Sequence, residues 1–178
     1  MSAPTAKMAV AVDGQVVRVK ITGRANFTSS VDFKNLLVGL RERGHDRFTI
    51  DLTECLIMDS TFLGVLAGLG MRFSQKMNGQ PVAKIELANP SERLAGLIEN
   101  LGVSSLFTIV HCPPADGSGF QPVAADSANA TKTEVTRTCL EAHETLMSLN
   151  PANAAKFKDV TRFLAEDLKR SESVEAKP

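Results

Sequence analysis

The chain has 178 residues, of which 43% are hydrophobic and 22% charged, and its 20 Lys and Arg balance its 20 Asp and Glu. This length fits one domain with a core and an appendage. The charge balance and the lack of Trp and Tyr disfavour direct nucleic-acid binding. No apolar run approaches the ~20 residues that span a bilayer, and the N-terminus has no secretory pattern, so we expect a cytoplasmic protein without membrane insertion.

Cysteine and histidine spacing argues against metal and disulfide chemistry. Cys55, Cys112 and Cys139 are odd in number, widely spaced and form no CxxC pair, which fits a reducing compartment. The three histidines are scattered over different predicted elements, so no metal site is expected. The glycines that follow Ser60 match neither of the phosphate-binding patterns GxxxxGK(S/T) and GxGxxG. No cofactor is therefore predicted.

Five strands are predicted in the first 110 residues. Met8–Val12 and Val16–Ile21 flank Asp13-Gly14, which is a strong hairpin signal. Three further strands are predicted at 47–52, 81–87 and 105–110.

Three helices are predicted between these strands from apolar residues at helical spacing. The first follows Asn26 and ends at Gly44, and the second runs from the Asp59 region to a stop at Asn78-Gly79. The third is capped by Ser91 and closed by Gly102. The alternation predicts a layered α/β domain with a mixed sheet.

The composition changes after residue 112. In the segment 113–130, twelve of eighteen residues are Pro, Gly, Ser or Ala, which indicates a flexible linker. Two helical patterns follow, Lys132–Leu149 and a second from Asn150-Pro151 to about Arg170, ahead of a polar tail. The predicted organisation is therefore a domain at 1–112, a linker at 113–130 and a helical hairpin with its tail at 131–178.

The apolar stripe of this hairpin has two interpretations. Val160, Phe163 and Leu164 belong to a predicted buried face, and a hairpin of ~40 residues is marginal alone. The face either covers apolar surface on the same chain or on a second copy in a homodimer, or it binds another partner.

The segment IMDSTFLGVLAGLG places Asp59, Ser60 and Thr61 ahead of an almost wholly apolar helix. Each of the three can cap the helix, a role worth about 1 kcal/mol. Three polar residues exceed the need of one cap, and the same helix N-terminus favours an anion. A phosphate on Ser60 would add about −1.5 to −2 charges there. The apolar residues available nearby for contact with a partner are Leu56, Ile57, Phe62 and Leu63. Charge placed in such a docking surface would switch off partner binding.

A nucleophilic serine is the enzyme alternative. GxSxG is absent around Ser60 and its segment holds no histidine, so a triad would have to be assembled from distant residues. The sequence therefore favours a protein that is not an enzyme.

The order of elements together with IDLTEC, IMDSTFLGVL and NGQPVAKIEL resembles the STAS domain over about residues 8–110. MDST followed by LG is similar to the signature of bacterial anti-sigma factor antagonists. The resemblance implies a mixed sheet of four to five strands packed with helices, to which this chain adds its C-terminal hairpin.

The resemblance also implies a function in partner switching. The unphosphorylated antagonist would bind an anti-sigma factor that is a serine kinase, and the kinase would use ATP to phosphorylate the serine after the motif's aspartate. That position is Ser60, with Thr61 as second candidate, and a PP2C-type phosphatase would reverse the step. The expected partner-contacting residues are Asn26, Leu56, Ile57, Asp59, Ser60, Thr61, Phe62 and Leu63.

Two positions depart from the family pattern. Phe62 replaces a glycine of the motif, and Asn26 replaces an aspartate of the early loop. Both favour the alternative, a STAS scaffold that is not phosphorylated and serves as an interaction subunit of a signalling or membrane-associated complex.

Overall fold

A computed structural model of the chain describes residues 5–76 and 79–177. Within these residues, seven strands form one mixed sheet and five α-helices accompany it. The strands are β1 (Lys7–Asp13), β2 (Val16–Ala25), β3 (Arg47–Asp51), β4 (Cys55–Met58), β5 (Lys84–Ala88), β6 (Thr108–Val110) and β7 (Gln121–Pro122). The helices are α1 (Phe27–Glu42), α2 (Ser60–Phe73), α3 (Glu92–Asn100), α4 (Lys132–Leu149) and α5 (Ala152–Glu175).

The sheet has the order β6-β5-β3-β2-β1-β7, and β4 pairs separately with β2. The β1–β2 hairpin is antiparallel and turns at Gly14, whose φ of 59° suits glycine. The strands β3, β4, β5 and β6 run parallel to their neighbours, and β7 is antiparallel to β1. The five predicted strands are present, and β4 and β7 are additional.

A bulge divides β2 between two partners. Its first half, Val16–Lys20, pairs with β3, and after a register shift at Gly23 its last residues pair with β4. Gly23 has a φ of 92°, a left-handed conformation that glycine adopts without strain. The bulge thus places the C-terminal ends of β2 and β4 side by side at the same edge of the sheet.

The helices α1, α3 and α4 begin where side chains cap them. Asn26 caps α1 and forms a capping box with Ser29, and Ser91 caps α3 as predicted. Thr131 caps α4 in a second capping box. The helix α2 ends at Phe73 and is therefore shorter than predicted. Of its predicted stop at Asn78-Gly79, Asn78 lies outside the described residues.

The helix α2 lies at the centre of the packing. Ten of its fourteen residues are buried. The helix contacts α1, α4 and β5. Phe62 is fully buried and stacks on Phe33, with ring centroids 4.8 Å apart. Ala142 and Leu146 of α4 belong to the same core cluster, so the apolar character of α2 follows from burial on more than one side.

The segment predicted as a linker contacts the sheet. Gln121–Pro122 forms β7 against β1, and the N–H of Val123 donates to the carbonyl of Met8. The mobility of 113–130 stays a prediction, but within this segment Gln121, Pro122 and Val123 pair with β1.

The hairpin is docked on the first domain through α4, which packs on α2, and through its turn. Asn153 is fully buried, and its Nδ2 donates to the carbonyls of Leu101 and Leu146 at 2.9 and 2.8 Å. The prediction that Val160 and Phe163 lie on a buried face of α5 is wrong, because both side chains are exposed. Periodicity identifies an apolar stripe on a helix but not how much of that stripe a neighbouring element covers.

None of the helices described is both long and apolar enough to cross a membrane.

Substituting Phe62→Ala tests its place in the core. We expect a loss of about 3–5 kcal/mol in the free energy of unfolding, because a buried ring leaves a cavity against Phe33. The matched control Phe163→Ala removes a ring that is 61% exposed and should cost less than ~1 kcal/mol. Urea denaturation followed by circular dichroism measures both, and equal costs would contradict the assignment.

Candidate functional site

The ends of β2 and β4 set the position of the site. Both strands finish at the same edge, where the N–H of Asp59 donates to the carbonyl of Ala25 at 2.9 Å. The helices α1 and α2 start immediately after these strands, at Phe27 and Ser60. Their N-termini therefore lie side by side.

One carboxylate caps both helices. Oδ1 of Asp59 accepts from the N–H of Phe62 at 2.8 Å, and Oδ2 accepts from the N–H of Phe27 at 2.8 Å. Each bond satisfies a backbone donor that has no partner inside its own helix. A negative charge at two helix N-termini is also favoured by both helix dipoles. Asp59 thus has a structural role that the sequence indicated only for α2.

Ser60 is the first residue of α2 and is partly exposed. Its Oγ lies 3.0 Å from Nε2 of His143, a residue of α4. Nδ1 of the same ring lies 2.7 Å from the carbonyl oxygen of Cys139, which can only accept. Nδ1 therefore carries a proton, and in the neutral ring Nε2 accepts from the Ser60 hydroxyl.

Sequence reasoning missed His143, which lies 83 residues from Ser60. The ring is buried and packs on Phe157 at 4.9 Å between centroids. Serine and histidine stand as in a nucleophile–base pair, but the group behind the histidine is a backbone carbonyl rather than a carboxylate. Asp59, the acidic residue next to Ser60 in sequence, already accepts hydrogen bonds from two backbone N–H groups. The pair therefore lacks the third member of a catalytic triad.

Thr61 is turned into the contact between α2 and α4. It is buried and meets the thiol of Cys139. Burial raises the pKa of that thiol, the charge of Asp59 raises it further, and the hydrogen bond with Thr61 opposes both. Thr61 is thus less accessible than Ser60.

The remaining predicted docking residues divide into two groups. Leu56 is 66% exposed, and Asn26 and Ile57 are partly exposed beside Asp59 and Ser60. By contrast, Phe62 and Leu63 are fully buried and present no surface in this conformation. The accessible part of the predicted surface is therefore the end of β4 and the start of α2.

Among the described residues, no three His, Cys, Asp or Glu side chains are grouped as metal ligands would be. Cys55, Cys112 and Cys139 are free thiols.

Comparison with known proteins identifies the family. The STAS domain model matches residues 7–112, more than half of the chain, and the chain belongs to this family. No curated protein matches the chain in sequence.

Two solved structures are similar to part of the chain. A candidate anti-sigma factor antagonist from Thermotoga maritima has a TM-score of 0.51 at 17% identity, covering 58% of this chain and 85% of its own. The anti-sigma factor antagonist SpoIIAA in its unphosphorylated form has a TM-score of 0.49 at 15% identity, covering 58% and 87%. The predicted STAS-like α/β fold with a C-terminal helical hairpin is confirmed.

Graded substitution of Asp59 tests the double cap. Asp59→Asn keeps one acceptor and should lose about 1 kcal/mol of unfolding free energy, whereas Asp59→Ala loses both bonds and should cost about 2 kcal/mol. Asp159→Asn, in an exposed pair with Arg162, is the control and should change stability by less than ~0.5 kcal/mol. Chemical denaturation in urea measures all three, and a harmless Asp59→Ala would refute the double cap.

Proposed function

We propose that the chain is an anti-sigma factor antagonist-type switch. It binds an anti-sigma factor that is a serine kinase and is turned off by phosphorylation of Ser60. The position of Ser60, partly exposed at the first residue of α2 in a STAS domain, is the observation that carries this proposal. The dipole of α2 favours a phosphate at its N-terminus.

The proposed docking surface is the accessible end of β4 and the start of α2. Leu56 supplies exposed apolar area beside Ile57, while Asp59 and Ser60 supply polar contacts and Asn26 lies next to them. A phosphate on Ser60 would place a double negative charge within this surface. The partner would then lose contact because it would have to desolvate an unmatched charge.

The switch needs a kinase and a phosphatase but no catalytic group of its own. In the forward step, the bond from Ser60 Oγ to the γ-phosphorus of ATP forms, the bond from that phosphorus to ADP breaks, and a base of the kinase takes the hydroxyl proton. A PP2C-type phosphatase hydrolyses the phosphoserine. We place this cycle in the cytoplasm, without direct nucleic-acid contact.

Site-specific phosphorylation tests the proposal. With ATP, magnesium and each purified kinase-type anti-sigma factor of the source genome, we expect one phosphate on Ser60. Ser60→Ala should abolish it, and Thr61→Val should retain it because Thr61 is buried. Mass spectrometry of the intact chain and its peptides measures the outcome, and unchanged phosphorylation of Ser60→Ala would overturn the assignment.

A second candidate function is a STAS scaffold that is not phosphorylated, as an interaction subunit of a larger signalling complex. One observation favours it: the Ser60 hydroxyl is already engaged by His143. Phe163, exposed on α5, would suit contacts with a partner or with a second copy in a homodimer. Partner binding that is unchanged by Ser60→Asp would support the scaffold, whereas the switch predicts a loss of at least about tenfold.

A further inference from the structure

The face of α2 that carries Gly64 and Gly68 is covered by α4 of the same chain. A Cβ atom at Gly64 would lie 2.7 Å from the carbonyl carbon and 2.8 Å from Cβ of Ala142. The two helices therefore touch at a point that only glycine permits. Ser60 lies one turn before this point, on the same helix, with its hydroxyl on His143 of α4.

The chemistry of α4 is that of an interface able to separate. Of its six buried residues, Thr136, Thr138 and His143 carry polar groups, Ala142 and Leu146 are apolar, and Thr133 donates to Glu175 of α5 rather than toward α2. Interfaces between units of one chain that come apart are more polar than permanent ones. A continuous core helix would instead present a mainly aliphatic face.

The margin of the contact is weakly held. Lys34 of α1 and Glu141 of α4 form a salt bridge at 3.2 Å, but both side chains are substantially exposed. Such surface pairs contribute little to stability. A crevice of about 180 Å³ runs beside the pair, between Gly68, Arg72 and Thr145. The edge of the contact near Gly68 is therefore more loosely packed than its centre at Gly64.

We propose that α4 is the resident occupant of the surface on which the anti-sigma kinase acts, and that the hairpin must leave α2 before Ser60 is phosphorylated. This inference rests on the proposed function. The phosphoryl group must approach Oγ of Ser60, and the ring of His143 lies 3.0 Å from that atom. The kinase and α4 therefore compete for the same face of α2, and any change that loosens the hairpin exposes the site.

Two substitutions at separate points should release the hairpin. Gly64→Ala forces its new methyl group against the backbone of Ala142. Asn153→Ala removes both buried hydrogen bonds of the hairpin turn, which go to Leu101 and Leu146 and not to the Ser60 site. Gly68→Ala is the matched control, because its Cβ would lie 3.8 Å from Oγ1 of Thr145, at ordinary contact distance.

Two readouts are taken on the full chain with Cys112→Ser, since Cys112 is the exposed thiol. The first is the rate of Ser60 phosphorylation by the purified kinase-type anti-sigma factors with ATP and magnesium. The second is N-ethylmaleimide labelling of Cys139, which reports release of α4, against the core residue Cys55, which reports global unfolding. We expect both release variants to raise phosphorylation and Cys139 labelling about tenfold, with Cys55 unchanged and Gly68→Ala as wild type.

A reversible lock provides the opposite test. Gly68→Cys with Thr145→Cys, in a chain that also has Cys112→Ser and Cys139→Ser, can form a disulfide between α2 and α4, because the residues are in contact. The oxidised chain should be phosphorylated at least about tenfold more slowly than the same chain after reduction. The oxidised and reduced forms have the same sequence, so this comparison remains decisive if α4 shifts to accommodate the Gly64→Ala methyl.

The outcomes separate the two proposals. The proposed competition between kinase and α4 is overturned if the oxidised and reduced chains are phosphorylated equally. It is also overturned if the release variants and the control differ in Cys139 labelling but are phosphorylated equally. Either result leaves the proposed phosphorylation switch intact. Parallel labelling of Cys55 and Cys139 in the release variants also overturns the competition, because the hairpin would then be inseparable from the core. If no variant is phosphorylated on Ser60, the switch itself is overturned, and the competition with it.

Discussion

The geometry of the site depends on the carboxylate of Asp59. Its two oxygens accept from the first turns of α1 and α2, so a single side chain joins the N-termini of two helices that begin at Phe27 and Ser60. The joint is available only because β2 changes partner at Gly23 and ends beside β4. Ser60 follows directly, and its place on the surface is therefore determined by the backbone on both sides.

The same helix explains why so apolar a segment carries a polar head. The helix α2 packs within the domain and under α4, and glycine at position 64 allows the second contact. Its first residues, by contrast, meet the end of the sheet, a histidine from α4 and solvent. Capping and regulation are thus not competing roles for Asp59 and Ser60. The first residue holds the two helices together, and the second presents a hydroxyl at their junction.

Features with a local cause were predictable from the sequence. The Asp13-Gly14 turn, the Ser91 cap and the full extent of α4 follow from neighbouring residues. The strand β7 was missed because two residues, one of them proline, show no alternation. His143 could not be assigned to the site, since its contact with Ser60 arises only when α4 folds back on α2. The burial of Phe62 likewise depends on Phe33, which belongs to another helix.

The short strand β7 has a consequence for self-association. Without it, β1 would offer an open row of backbone donors and acceptors, which is a template for pairing with another chain. Gln121 and Pro122 occupy part of that row opposite Val10 and Ala9. Proline has no N–H to continue the ladder outward. The segment that connects the sheet to the hairpin therefore also protects the edge of β1 from pairing with another chain.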